Sequence, residues 1–290
     1  MRWREIWISI FLLFAIVAVA EVKKDSLFDW SASATLTSNY IWRGLYVGGP
    51  SLQADATVSY AGLFANMWWN VGATDWTFTG FNPEVDLTIG YSRWGLTVLY
   101  MHMFYFDTYP DGSRSRFFDF RNHIKGGTTG EWRISYRVSD RIPLSCLVGV
   151  RTFGRDGYWV KDASPMDNGY GVKELKRAYS TYIELGYDFD LGENWMLAAR
   201  VGMTPSKSLY TGYKGDFAVT LVGLKLNKSW TVNGDRISGN GDRGKRGGRV
   251  NAFANVMLQP WQVNKHNLVL PIAEAGSQKL NVAVGCSYGI

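Results

Sequence analysis

Cysteine is nearly missing: Cys146 and Cys286 are the only two in a chain of 290 residues. That excludes a disulfide framework, and neither sits in a Cys-x-x-Cys or Cys/His cluster that would hold a metal. Both fall on the apolar side of predicted strands, where cysteine serves as a small hydrophobe. Charge is also scarce, at 19% of residues, against about 25% in typical globular domains. With 46% hydrophobic and 15% aromatic residues, the chain is still too apolar to be disordered. Beyond the extreme N-terminus no uninterrupted apolar run reaches the ~18 residues of a spanning helix, which excludes a polytopic helical membrane protein. No helical period of useful length is present. Proline is held to 8 residues while Gly reaches 32 and Trp, Tyr and Phe reach 13, 16 and 15, a mixture that suits strands and turns.

The N-terminus reads as an address. Arg2 and Arg4 precede an apolar stretch from Ile6 to Val19 that is broken only by Ser9, and Ala18-Val19-Ala20 offers the small residues a signal peptidase reads. Residues 1 to 20 are therefore expected to be a signal peptide cleaved after Ala20, with residues 21 to 290 forming one domain. An uncleaved anchor helix is the competing reading, weakened by the shortness of the stretch.

From Ser31 onward a period of two dominates. Ser31, Ser33, Thr35, Thr37 and Asn39 alternate with Ala32, Ala34, Leu36, Tyr40 and Trp42, and Gln53, Asp55, Thr57 and Ser59 alternate with Leu52, Ala54, Ala56, Val58 and Tyr60. The pattern predicts about twelve strands, near 30 to 43, 51 to 60, 62 to 73, 83 to 92, 94 to 106, 128 to 138, 143 to 153, 177 to 189, 194 to 204, 215 to 227, 249 to 258 and 278 to 289. Residues 94 to 106 are apolar on both faces, and 215 to 227 changes phase near Gly223, as at a bulge. Short and long connections alternate, the arrangement of an up-and-down antiparallel transmembrane β-barrel with short periplasmic turns and long external loops. One connection, 228 to 248, breaks the rule by running long where a short turn is expected.

A soluble barrel turns its apolar faces inward; a membrane barrel inverts that order. Three features favour inversion. Aromatic residues close to strand ends on the apolar face, Tyr40, Trp42, Tyr91, Trp132, Tyr187 and Trp195, suit girdles at a lipid interface. Polar faces carry Asp and Glu beside Ser, Thr and Gly. Segments approach the ~9 to 11 residues that cross a bilayer at a tilt. The last strand alternates from Leu280 to the terminal Ile290, as a barrel-assembly machinery would read it, although such a terminus is usually aromatic.

The run from Leu36 to Gly72 resembles the start of the TorF-type porin family (Gcw_chp) of Gram-negative bacteria. Thr37, Ser38, Tyr40, Arg43 and Gly44 match its Thr-Ser-x-Tyr-x-x-Arg-Gly stretch, Pro50 and Gln53 its Pro-x-x-Gln, and Gly62 and Trp68 its aromatic strand after a Gly turn. Glu84-Val85-Asp86 and Gly90-Tyr91 also look like family features, while beyond about residue 110 only the strand rhythm matches. The resemblance implies an outer-membrane barrel of porin type and leaves the solute open.

With apolar faces outward, Arg43, Asp55, Glu84, Asp86, Glu131, Arg133, Arg137, Arg151, Glu184, Asp188, Arg200 and Lys279 become pore-lining candidates. Acids predominate on the first four strands and bases on the sixth, seventh and ninth, so a transverse field across the lumen is expected. Interior salt bridges that plug the barrel are the alternative. Twelve strands about 4.8 Å apart and tilted about 40° give a backbone diameter of roughly 24 Å, of which side chains leave roughly 10 to 12 Å. The expected function is therefore passive diffusion of ions or small polar solutes, with a closed barrel that binds lipopolysaccharide or a partner through its loops as the second reading. An outer-membrane lipid hydrolase is the weakest reading, because such enzymes carry His-x-Ser and His102, His123 and His266 have no Ser two residues on. His102 is expected to line the interior. No catalytic residue, metal or cofactor is expected. Basic loop residues Arg114, Arg116, Arg121, Lys125, Lys173, Lys176 and Arg177 could meet lipopolysaccharide phosphates. The basic Gly-rich tract 235 to 249 is read as a turn, with no nucleic-acid partner. Outer-membrane lipid completes the expected surroundings.

Overall fold

The alternation of small polar and apolar residues is realised as a wall of strands. The structure is a computed structural model that describes residues 27–74, 77, 80–81, 83–106, 120, 122, 127–161, 172–213, 215, 217–232, 248–260 and 280–290. The expected signal peptide, Lys279, His123, His266, the middle of the 228 to 248 connection and most of the basic loop residues lie outside the described residues.

Along the chain the strands are β1 (Phe28–Thr37), β2 (Tyr40–Trp42), β3 (Leu45–Gly48), β4 (Ser51–Tyr60), β5 (Leu63–Gly72), β6 (Glu84–Arg93), β7 (Leu96–Tyr105) and β8 (Thr128–Arg137). They continue as β9 (Leu144–Gly154), β10 (Gly157–Lys161), β11 (Val172–Arg177), β12 (Thr181–Gly192), β13 (Trp195–Thr204), β14 (Ala218–Val232), β15 (Gly248–Leu258) and β16 (Leu280–Gly289). Twelve of these close an antiparallel barrel in the order β1-β16-β15-β14-β13-β12-β9-β8-β7-β6-β5-β4. The other four form two hairpins, β2–β3 and β10–β11, at the end where the long connections gather. Among the described residues the one helical element is a 3-10 turn, Leu209–Thr211.

Three of the short connections are two-residue turns with both central residues at positive φ: Ala61 (51°) and Gly62 (92°), Trp94 (53°) and Gly95 (79°), Glu193 (48°) and Asn194 (62°). That backbone matches the right-handed twist of the flanking strands and fixes their register, with a bulge at Leu191 then shifting the β12–β13 pairing by one residue. Fixed register fixes facing, because a slip of one residue would move every side chain to the other side of the wall. Outward-facing Ile89 is 67% exposed and Leu224 51%, whereas inward-facing Glu131 and Thr129 have no exposure. The apolar half thus covers the outside, as in barrels that cross a membrane.

Four local expectations change. The first predicted strand, 30 to 43, ends at Thr37. There Asn39 Nδ2 donates to the Val282 carbonyl at 2.6 Å, Ser38 Oγ accepts from Val284 N–H at 3.0 Å and Ser38 N–H donates to the Val284 carbonyl at 2.8 Å, so side chains join the backbone in pairing with β16 as the chain turns inward to β2. The eighth predicted strand, from 177, starts at Thr181, because residues up to Arg177 pair with β10. The phase change near Gly223 is a register shift at Thr220, between the Gly202–Leu221 and Met203–Val219 pairs. His102 belongs to the outer face: it pairs in register with outward Leu87 and is covered by the Phe104, Phe120 and Phe153 rings at 4.6 to 5.2 Å.

Because Ile89 lies mid-strand on the outer face, Ile89→Arg should destabilise the folded protein in lipid vesicles by about 2–4 kcal/mol. Urea unfolding in vesicles measures this; a change under about 0.5 kcal/mol would contradict lipid contact at that position.

Candidate functional site in the barrel interior

The β2–β3 hairpin is what shapes the interior. Its turn uses Arg43 (φ 51°) and Gly44 (φ 84°), and a Cβ on Gly44 would lie 2.7 Å from the Thr220 carbonyl oxygen, so the turn presses against β14 as only glycine allows. Asn281 Nδ2, buried on β16, donates to the Gly44 carbonyl at 3.0 Å and anchors the turn. From there Arg43 crosses the lumen. Its Nη1 and Nη2 donate to the two carboxylate oxygens of Glu131 on β8 at 2.7 and 2.6 Å, and Nη1 also donates to the Tyr210 hydroxyl at 2.6 Å. The guanidinium lies 4.5 Å from the Trp42 ring centre and 4.4 Å from that of Tyr182. Burial alone would lower the Arg43 pKa; Tyr210 and Glu131 outweigh it and raise the group above its ordinary value.

Around this crossing an apolar cluster forms inside the barrel: Leu45, Tyr182, Leu209 and Tyr210, with Trp42, Leu147 and Tyr213 packed against it. Arg133 adds two hydrogen bonds to Glu131 Oε1, from Nε at 3.1 Å and Nη2 at 3.0 Å. Gly149 on the wall behind has no room for a side chain, since a Cβ there would meet Glu131 Oε1 at 2.7 Å. Ser180 fixes the far side: its N–H and hydroxyl both donate to the Asp156 carboxylate, at 2.7 and 2.5 Å, while its Oγ accepts from Leu209 N–H at 2.8 Å. Burial pushes the Asp156 carboxyl above its ordinary range, against the opposing pull of Arg151 and the Ser180 hydrogen bonds.

Toward the short-turn end the lumen divides. On β8, β12 and β13, Asp188 accepts from Arg137 Nη1 at 2.7 Å and from Arg200 Nη2 at 2.6 Å, and Glu184 lies 3.7 Å from Arg200 Nε. On the opposite wall a cavity of about 470 Å³ remains, lined among others by Tyr40, Trp68, Asp55, Asp86, Met101 and Arg133. Asp55 accepts from Asn66 Nδ2 at 2.7 Å, and Glu84 accepts from the Tyr40 hydroxyl at 3.0 Å.

Of the residues singled out from sequence, Arg43, Asp55, Glu84, Asp86, Glu131, Arg133, Arg137, Arg151, Glu184, Asp188 and Arg200 all face the interior, and Arg151 is 1% exposed. They do not stand as two opposed sheets of free charge, however, since Glu131, Glu184 and Asp188 are each held by arginine. Tyr91, Trp132, Tyr187 and Trp195 lie on the outer face, with Tyr91 and Trp195 close to short turns and Trp132 in mid-strand. Tyr40 and Trp42 do not join them. The hairpin carries both inward, where Tyr40 is 9% exposed and packs on Trp68 at 5.6 Å, because the wall strand ends before them. Sequence reasoning missed Tyr182, Tyr210 and Asn281; the Arg43-Gly44 pair within an alternating run was the available signal for a turn. Among the described residues no group of three or more His, Cys, Asp or Glu could hold a metal ion.

No protein-family model matches the chain, and no curated protein matches it by sequence. Among solved structures it is similar to the NanC porin, at 11% identity over 90% of this chain and 98% of that one, with a TM-score of 0.38. A FadL homologue of Pseudomonas aeruginosa is 7% identical over 90% and 88%, with a TM-score of 0.32. OmpT, an outer membrane protein of Vibrio cholerae, is 11% identical over 93% and 100%, with a TM-score of 0.29.

Glu131→Gln removes the charge on which two guanidinium groups converge and should cost about 3–5 kcal/mol of stability. In equilibrium unfolding, the double variant Arg43→Met/Glu131→Gln should lose clearly less than the sum of the two single variants, as contacting partners do; strict additivity would mean the pair is not coupled.

Proposed function

We propose that the protein is a channel of the bacterial outer membrane for passive diffusion of ions or small polar solutes, delivered there after removal of its signal peptide. The observation that carries this reading is the cavity of about 470 Å³, lined by acidic, amide and aromatic side chains, left inside a wall whose exterior is apolar. A barrel built only as an anchor would fill that space with side chains, as small barrels do. The two-residue turns would face the periplasm and the long connections the cell exterior, where Lys176, Arg177 and the other basic loop residues could meet lipopolysaccharide. The resemblance of the Thr37 to Trp68 stretch to TorF-type porins supports this reading.

In this reading the hairpin sets the conductance. Arg43 is the side chain that spans the lumen, and its release from Glu131 would widen the path. A closed barrel that acts through its loops is the second reading, favoured by the Arg43–Glu131 bridge and the apolar cluster around Leu45.

Planar-bilayer recording separates them. The native protein should carry a small ion current, and Arg43→Ala should raise single-channel conductance roughly twofold or more. Protein that inserts but passes no current, with or without Arg43, would establish the closed barrel.

A further inference from the structure

The carboxylates of the lumen are treated unequally. Glu131, Glu184 and Asp188 each have an arginine within 4.0 Å. Asp55 and Asp86, on β4 and β6, have no such ion pair among the described residues. Asp55 accepts from neutral donors, Asn66 Nδ2 at 2.7 Å and Thr57 Oγ1 at 3.5 Å. Asp86 is 8% exposed and its Oδ1 has no hydrogen-bond partner. Both line the 470 Å³ cavity. The base that shares this lining, Arg133, has its Nε and Nη2 committed to Glu131. Glu84, next to Asp86 on the same face of β6, adds a third carboxylate close by.

Aromatic rings complete the wall. Tyr40 and Trp68 sit with ring centres 5.6 Å apart at an angle of 53°, and Trp42 closes the end nearest the hairpin beneath the Arg43 guanidinium. Ring faces attract cations and give nothing comparable to anions. Carboxylates without an ion pair of their own, one half-buried and one buried beside ring faces, are complementary to a positive charge carried on an apolar body. A bare metal ion fits poorly, since the rings supply no oxygen ligands and the cavity far exceeds one ion.

We propose that this cavity is a binding site for a small organic cation, an ammonium group on an apolar or aromatic body, seated between Asp55 and Asp86 with its body against Tyr40 and Trp68. The proposal rests on the channel reading only in naming the class of solute that pauses on the way through; the site itself stands on the cavity and its unpaired acids.

The test is calorimetric binding to the detergent-folded protein with three probes of one skeleton: phenethylammonium, neutral 2-phenylethanol and anionic phenylacetate. Phenethylammonium should bind at least tenfold more tightly than either of the others. Asp55→Asn and Asp86→Asn should each remove most of that preference, whereas Asp140→Asn, on an exposed turn, should leave it. Folding of each variant is checked by faster gel migration unheated than boiled, and if an Asn variant does not fold, the three-probe comparison on the native chain decides. Equal binding of the three probes, or preference for phenylacetate, would overturn the proposal. Because binding needs no conduction, a retained preference with no bilayer current overturns the channel and keeps the site, and current without preference does the reverse.

Discussion

Glu131 has no exposure to water and receives four hydrogen bonds from two guanidinium groups, Arg43 from across the lumen and Arg133 from its own strand. Taking a carboxylate and a guanidinium out of water costs several kcal/mol for each, and their attraction offsets this only when geometry is near ideal and the remaining hydrogen-bonding positions are filled. Here the bridge is bidentate and Tyr210 takes a further donor position of Arg43. The hairpin therefore has one well-determined seat. With the hairpin in that seat, Leu45 meets Tyr182 and Leu209, Trp42 meets Tyr210 at 5.7 Å, and Asn281 finds the Gly44 carbonyl. Without it, those groups would face an empty lumen.

The wall makes a concession to let the hairpin in. β1 and β16, the pair that closes the barrel, share five register positions, Ser33 to Thr37 against Gly289 to Gly285, where β14 and β15 share eleven. Hydrogen bonds from Ser38 and Asn39 extend the seam past the last of these pairs while the backbone is already turning inward. Closure of the barrel and filling of its interior thus meet at one place, Ser38 and Asn39.

Much of this was legible in the sequence, for a local reason. Period two and turn chemistry depend on neighbours a few residues apart, so the twelve wall strands and the alternation of short and long connections could be read directly. The hairpin was not legible. Tyr40 and Trp42 continue the even-numbered apolar register of Ala32, Ala34 and Leu36, and the bonds that end the wall reach residues 243 to 246 positions away. Partners so distant leave no mark on a local pattern. His102 failed for another reason: β7 is apolar on both faces, so only its register against β6 and β8 reveals which side the ring is on.

The same register accounts for the division of the lumen into a neutralised half and an acidic half. Neighbouring strands bring Arg137, Asp188 and Arg200 to within salt-bridge distance, and there the charges satisfy one another. On β4, β5 and β6 the inward positions hold Gln53, Asp55, Thr57, Asn66, Glu84, Asp86 and Thr88, a set with acids and amides but no base. Within that wall the neighbours of Asp86 include the Glu84 carboxyl, with Arg133 acting from β8. The hairpin supplies two rings, Tyr40 and Trp42, and keeps its single cation, Arg43, turned toward Glu131. With Arg43 turned to Glu131, Asp55 and Asp86 are left without an ion pair among the described residues. The contact that narrows the lumen and the charge that remains in the cavity are consequences of one side chain's choice of partner.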